Sequence, residues 1–459
     1  MRHCYLCLLG LGLLLLPACN TPPPAGDVPP FSLDELQART FRYFWELADS
    51  TYGQIPDRHP TRTFSSVAAT GFGLASYPVG VERGYVRRDE AAARTRQTLD
   101  ALWRLPQGPE PTGVSGYRGF FYHFLTLDQA QRFKQVELST IDTGLLMAGV
   151  LTVQAYFDSN DPVEQDIRAL ADSLYRRVEW DWAFRENGLL SMGWHPERGF
   201  IPHYWSGYNE AMILLIMAMA SPTHPIPDTS WQQWTAPYLW AGFQGQGHVN
   251  YSPLFVHQYS HLFIDFRGLQ DDYMRGRDID YFENARRATL ANRAYCIENP
   301  GGYADYGEHT WGLTACDGPR DTVVVRGGDT LHFRTYWARG ASAHHVNDDG
   351  TLAPTAAGGS VPFAPEVCIP ALEHMWNHYG ADLVGEYGFR DAFNPTYTWC
   401  RGCEDKGWFD TDYLGIDQGP ILLQVENHRS GLIWDLMKRS PYIRDGLRKA
   451  GFTGGWLES

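Results

Sequence analysis

Two stretches of this chain are apolar on every side. Residues 144–153 read GLLMAGVLTV and residues 211–220 read AMILLIMAMA. A helix with one apolar stripe lies on the surface of a core, whereas a helix apolar all round must be covered on both sides. Helices buried on both sides need an outer layer to cover them. Further helices are expected near 65–76, 88–105, 162–179, 229–240, 253–265, 277–297, 365–380, 419–437 and 441–450, with 139–157 and 207–220 around the apolar stretches. Ser32 and Glu35 stand as a capping box before Leu36, Phe41, Phe44 and Leu47 at near-helical spacing. Eleven or twelve helices with a buried inner set predict an all-α chain folded as two concentric rings, an α/α toroid. A few β-hairpins sit in its loops. Thr322-Val323-Val324-Val325, a Gly327-Gly328 turn and Leu331-His332-Phe333 read as one, and residues 189–204 as another.

Charge and composition then narrow the chemistry. The chain has 38 Lys+Arg against 53 Asp+Glu, a net charge of −15. That argues against nucleic acid, whose phosphates need a positive field, and leaves a neutral ligand as the easier partner. Aromatic residues make up 14 %, with 16 Trp, 25 Tyr and 23 Phe. A large core takes most of them, and a subset could form stacking platforms for a flat ligand such as a sugar ring.

The N-terminal 18 residues read as a secretory signal, basic at Arg2 and His3 and apolar from Leu6 to Leu16, too short to span a bilayer. Leu16-Pro17-Ala18-Cys19 resembles a bacterial lipobox, with Cys19 as the lipidated residue. Asn20 after it favours the outer membrane, most simply its periplasmic face. Residues 19–30 then form a Pro-rich tether, and 31–459 a single domain, expected to be monomeric and to touch a membrane only through the lipid. Five cysteines remain beyond Cys19, and Cys400 and Cys403 are spaced for a local disulfide or for buried thiols.

Candidate catalytic groups are carboxyls set among aromatics. Glu210 opens the apolar 211–220 stretch beside Trp205 and Tyr208. A helix N-terminus stabilises a carboxylate, but burial by aromatics raises its pKa, so Glu210 reads either as a first-turn Glu or as a general acid. Asp391 lies between Phe389 and Phe393 and reads as a general base, a turn cap or a partner of Arg390. Asp142 precedes the other apolar stretch and reads as a ligand for substrate or as a cap. Asp417, with Pro420 behind it, reads as a helix cap, and Glu426 as a buried, paired carboxylate. His257 and His261 lack the Glu of a zinc protease motif, and His374 and His378 lack a third ligand, so no metal and no cofactor is expected. There is no G-x-S-x-G and no P-loop, which favours paired carboxylates over acyl or phosphoryl transfer.

Several runs together resemble a known family. They are Tyr208-Asn209-Glu210-Ala211, the run from Pro253 to His261, Asp280-Tyr281-Phe282-Glu283-Asn284, Trp311-Gly312-Leu313-Thr314-Ala315, Asp348-Asp349-Gly350-Thr351, the run from Tyr387 to Asn394, and the run from Gly415 to Pro420. The chain is similar to the bacterial glucoamylase-like domain and, within it, to endo-β-1,2-glucanases, which cut β-1,2-glucan into sophoro-oligosaccharides. The resemblance implies an (α/α)6 barrel and inverting hydrolysis with a Glu acid and an Asp base. Carried over by position, Glu210 corresponds to the acid, Asp391 to the base and Asp142 to an acidic residue at the subsite floor. Trp205, Tyr208, His309, Trp311 and His345 are the expected sugar contacts. One departure stands out: those glucanases place a second carboxylate three residues after the Asp142 position, where this chain has Leu145. Alternatives are hydrolysis of another β- or α-glucoside, a phosphorylase on the same barrel, or a lipid-anchored glycan-binding protein without activity.

Overall fold

In the computed structural model, residues 28–458 are described. The expected signal and Cys19, and the tether up to residue 27, lie outside the described residues. The inner elements are the helices Val67–Glu82, Thr140–Tyr156, Met212–Ala220, Pro354–Gly358 and Gly415–Arg429, with two 3-10 turns, Leu254–His257 and Tyr259–Leu262, in the sixth position. Around them stand Leu33–Glu46, Arg88–Arg104, Pro162–Arg176, Tyr281–Glu298, Pro365–Tyr379 and Pro441–Lys449. Neighbouring inner elements pack on one another and on the outer helices, so the chain forms an (α/α)6 toroid.

The two rings differ as their sequences require. The inner helix Val67–Glu82 buries every residue from Val67 to Gly80, and Met212–Ala220 buries all nine of its residues. The outer helix Pro162–Arg176 buries mainly a stripe that includes Ile167, Ala171 and Leu174, the spacing of one helical face. Caps start the helices where the sequence supplies them. Ser32, Ser66, Ser139 and Asp161 each accept a backbone N–H from the first turn that follows, a contact worth about 1 kcal/mol each.

Glycine sets how closely two inner helices meet. A Cβ on Gly71 would stand 2.5 Å from the Leu145 carbonyl oxygen, and one on Gly149 would stand 2.0 Å from the Gly71 carbonyl oxygen. The Val67–Glu82 and Thr140–Tyr156 helices therefore cross backbone to backbone.

Several boundaries differ from the sequence reading. The helix expected over 229–240 is confined to Ser230–Thr235, and residues 240–249 form a hairpin. The expected 419–437 helix breaks after Arg429, where Gly431 takes a φ of 74° before Leu432–Lys438 begins. The hairpin over 322–333 forms with Thr322 opposite Phe333. A five-stranded sheet is built from Gly116–Tyr117, Phe120–Tyr122, Leu138–Ser139, Gly193–His195 and Gly199–Phe200, in that order. Its middle strand, Leu138–Ser139, runs directly into the Thr140–Tyr156 helix and so places the first turn of that helix. Cys400 and Cys403 form a disulfide.

Candidate active site

At one end of the toroid the starts of the inner elements converge on a cavity of about 400 Å³. Ser66 caps one inner helix there, and Ile141, Asp142 and Leu145 lie in the first turns of the next. Glu210 immediately precedes a third, Phe255 and Tyr259 come from the 3-10 turns, and Leu414 and Ile416 from the start of the last. Asp57, Arg58, Phe64, His123, Phe124 and Tyr336 complete the wall from loops and short strands. A wider hollow of about 490 Å³ lies on the outer face between Thr51 and Gln131. Its charged members, Asp100 and Arg104, are surface residues already paired with one another, which leaves the cavity inside the ring as the candidate site.

Glu210 stands in the cavity wall with its side chain half-buried. Its backbone carbonyl accepts the Ser260 hydroxyl at 3.2 Å, and Asn209 Oδ1 accepts the next N–H, that of Ala211, at 3.1 Å. These bonds hold the turn before the apolar helix. Burial pushes the Glu210 carboxyl up to about 7, a backbone hydrogen bond opposes this, and the charge of Asp142 adds to it. A carboxyl with that pKa keeps much of its proton at neutral pH, as a general acid must.

Asp142 lines the same cavity. Ser139, the cap of its helix, accepts the Asp142 N–H at 3.2 Å and donates its hydroxyl to Asp142 Oδ2. His123 lies between two acids, with Nδ1 2.8 Å from Glu137 Oε1 and Nε2 3.6 Å from Asp142 Oδ1, and its ring stacks on Phe124 at 3.9 Å. Burial alone would lower its pKa, but Asp142 and Glu137 outweigh burial and lift it to about 9. Two acids thus favour the protonated form of His123 in the floor.

Behind the opposite wall lies a group of aspartates. Asp391 is 2 % exposed. Its Oδ2 accepts the Asp317 N–H at 2.7 Å, and its own N–H goes to the Asp412 carbonyl at 2.9 Å. Asp410 Oδ1 accepts the N–H groups of Thr411 and Asp412. Arg58 bridges the group to the cavity, 2.6 Å from Asp317, 3.1 Å from Asp57 and 4.0 Å from Asp412. Burial and then the charges of Asp417 and Asp317 drive the Asp391 carboxyl well above the usual range. Burial, followed by Asp391 and Asp317, lifts Asp410 to about 8. Asp317, Asp391 and Asp410 each bring a carboxylate oxygen within 4.8 Å of the other two, and this is the grouping among the described residues spaced for a metal ion. Spacing is the whole of that case, because Arg58 already pairs with Asp317.

The structure corrects several expected roles. Trp205, Tyr208 and Trp311 pack in the core in place of stacking in the cavity. Trp205 donates its indole N–H to Thr140 Oγ1 at 2.9 Å, Tyr208 lies parallel to Tyr281 and against His257, and Trp311 is fully buried. His309 is exposed beside His374. His345 is exposed on a loop whose carbonyl accepts the Ser252 hydroxyl. Neither histidine lines the cavity. Asp417 is not a cap: Leu414 holds that position, Pro420 lies inside the helix, and the Asp417 carboxyl faces Asp391. Arg390 reaches the Asp410 carbonyl, not the Asp391 side chain. Glu426 is buried and paired, 2.7 Å from Arg83. The aromatics that line the cavity are Phe64, Phe124, Phe255, Tyr259 and Tyr336. None was singled out from sequence, and neither were Arg58, His123 and Asp410.

Comparison with known proteins gives the family. Residues 202–441 match the family model described as "Putative glucoamylase". The chain belongs to this glucoamylase-like family. A curated relative from Parabacteroides distasonis, named an exo beta-1,2-glucooligosaccharide sophorohydrolase (non-reducing end), is 31 % identical over 451 residues, covering 91 % of this chain. The chain spans 57 % of that relative's length. Among solved structures of the family's kind, a "putative glucoamylase" from Bacteroides uniformis is 33 % identical with a TM-score of 0.80, covering 94 % of this chain and 100 % of that one. An endo-beta-1,2-glucanase from Chitinophaga pinensis, solved with sophorotriose and glucose, is 30 % identical with a TM-score of 0.80, covering 93 % of this chain and 100 % of its own.

Proposed function

We propose that this member of the glucoamylase-like family is a glycoside hydrolase that cleaves β-1,2-glucan. The observation that carries the reading is Glu210, a carboxyl held near pKa 7 in the wall of the one cavity where the inner helices converge. Its names for relatives support the substrate class, since both the Parabacteroides and the Chitinophaga proteins are named for β-1,2-linked glucans.

The reaction runs by inversion. Glu210 gives its proton to the glycosidic oxygen as the bond to the anomeric carbon breaks. A water on the other face of the sugar attacks that carbon and loses a proton to Asp391. Asp391 does not line the cavity, so the proton travels through an intervening hydroxyl. Tyr336 stands in that wall and feels the charges of Asp417 and Asp391. Asp142, His123 and Arg58 supply the polar contacts that orient sugar hydroxyls, and the aromatic wall covers the apolar ring faces.

Attack within the chain, releasing a mixture of sophoro-oligosaccharides, is the first reading. Exo action is the second, favoured by the name of the Parabacteroides relative. Incubation with linear β-1,2-glucan and chromatography of the products tests both. A ladder of oligomers early in the reaction supports endo attack, sophorose alone supports exo attack, and an unchanged polymer with cleavage of another glucan overturns the substrate assignment. Proton NMR of the first product formed reads the anomeric configuration. A β product would overturn inversion.

A further inference from the structure

The aspartate group behind the cavity poses a charge problem. Arg58 pairs with Asp57, Asp317 and Asp412, and no ion pair among the described residues reaches Asp391, Asp410 or Asp417. Asp391 and Asp417 are 2 % and 3 % exposed. Asp391 Oδ1 and Asp417 Oδ2 are both buried without an N–H or hydroxyl donor, and the two carboxyls are in hydrogen-bonding contact with each other. Two carboxylates in contact away from water cannot both be ionised, and one proton between them removes the repulsion.

We propose that Asp391 and Asp417 hold a single proton between them, and that this singly charged pair, rather than Asp391 alone, is the proton acceptor of the reaction. The proposal rests on the reading of Asp391 as the base. It makes Asp417 a positioning residue acting through Asp391. The resting pair carries one proton and one negative charge. When water attacks the anomeric carbon, its proton passes to the pair, which then holds two protons and no charge, while Glu210 becomes a carboxylate. Release of that proton to solvent and reprotonation of Glu210 restore the start, so the balance closes without another reactant. The pair's proton count belongs to both members together. The groups that face it are Asp317, Asp410, Asp57, Arg58, Cys316, Tyr259 and Tyr336. All of the acids among them disfavour a second negative charge, and Arg58 is the cation that opposes them.

Infrared difference spectra and kinetics of the full-length protein test this. Asp417→Asn keeps a donor beside Asp391 and preserves the charge of the pair. It is expected to fold, to retain kcat within about tenfold, to move the acid limb of the pH–rate profile, and to lose one carboxylic-acid C=O band from the wild-type spectrum at neutral pH. Asp417→Ala offers no donor and is expected to lower kcat by about a hundredfold, the range of a misprotonated general base, with KM little changed. A folded Asp417→Asn with the wild-type acid band and pH profile would overturn the shared proton. So would calorimetry showing that wild-type protein binds Ca²⁺ with a gain in activity that Asp417→Asn abolishes, because a cation would then balance the charge. Asp391→Asn addresses the underlying reading separately: full activity there removes the base assignment, whatever the spectrum of the Asp417 variant.

Discussion

Glu210 and Asp391 are both carboxyls with raised pKa values, and they are raised in different ways. Glu210 is half-buried against apolar residues, and burial is the main cause, with one more distant acid, Asp142, adding to it. Asp391 is almost wholly buried, and to burial it adds the charges of two neighbouring acids. The first environment isolates a proton on one group. The second spreads protons over a set of groups. A hydrolase that must hold a proton on one side of a bond and accept one on the other can use these two environments for the two tasks.

The largest expected effect removes the first of them. Glu210→Gln should lower kcat by about a thousandfold, within the range for loss of a general acid, measured on β-1,2-glucan with folding checked by circular dichroism. Activity that needs a protonated Glu210 should also fall as pH rises through about 7. Stability shows the same sign. A carboxyl whose folded pKa is raised contributes stability that is present below its ordinary pKa and is lost as pH rises through the folded value. Glu210→Gln should therefore melt at a higher temperature than wild type at pH 8 and at a similar one at pH 4.

Next in size is the cation of the second environment. Arg58→Met leaves Asp317, Asp57 and Asp412 without their guanidinium and should cost about 2 kcal/mol in urea unfolding. That is less than the loss of a fully buried pair, because a quarter of the Arg58 side chain meets solvent. A smaller penalty than this would mean that protons already neutralise the acids. His123→Asn removes the imidazolium between Glu137 and Asp142 and should reduce kcat/KM by about tenfold, the scale of one charge-assisted contact. The smallest effect is expected at Trp205. Trp205→Phe loses the hydrogen bond to Thr140, worth about 1 kcal/mol of stability, and should leave KM unchanged. A clear rise in KM would place the indole at the substrate after all.

The rings were legible because helices 140–156 and 212–220 lack a polar face, which only a second layer can accommodate. Glu210 was legible as a candidate because it follows Trp205 and Tyr208 at the edge of such a helix. Other parts were not. Pro354–Gly358 is an inner element only five residues long, and the sixth position is taken by two 3-10 turns, neither of which carries a periodic pattern. The five-stranded sheet assembles strands of two or three residues scattered between Gly116 and Phe200, too short for alternation to show. The aspartate group gathers Asp57, Asp317, Asp391, Asp410 and Asp417 from distant points, and ring closure alone brings them together. Trp205 and Trp311 misled because an aromatic beside polar residues in sequence can still turn its ring inward.

The contact at Gly71 and Gly149 bears on evolution of the site. These two positions lie behind the cavity, yet they set the spacing of the helices that carry Ser66 and Asp142 on its rim. A single methyl at either would act as a shim, pushing the rim apart without altering any residue that lines the cavity. The bore of this ring can thus be retuned from positions that do not line it.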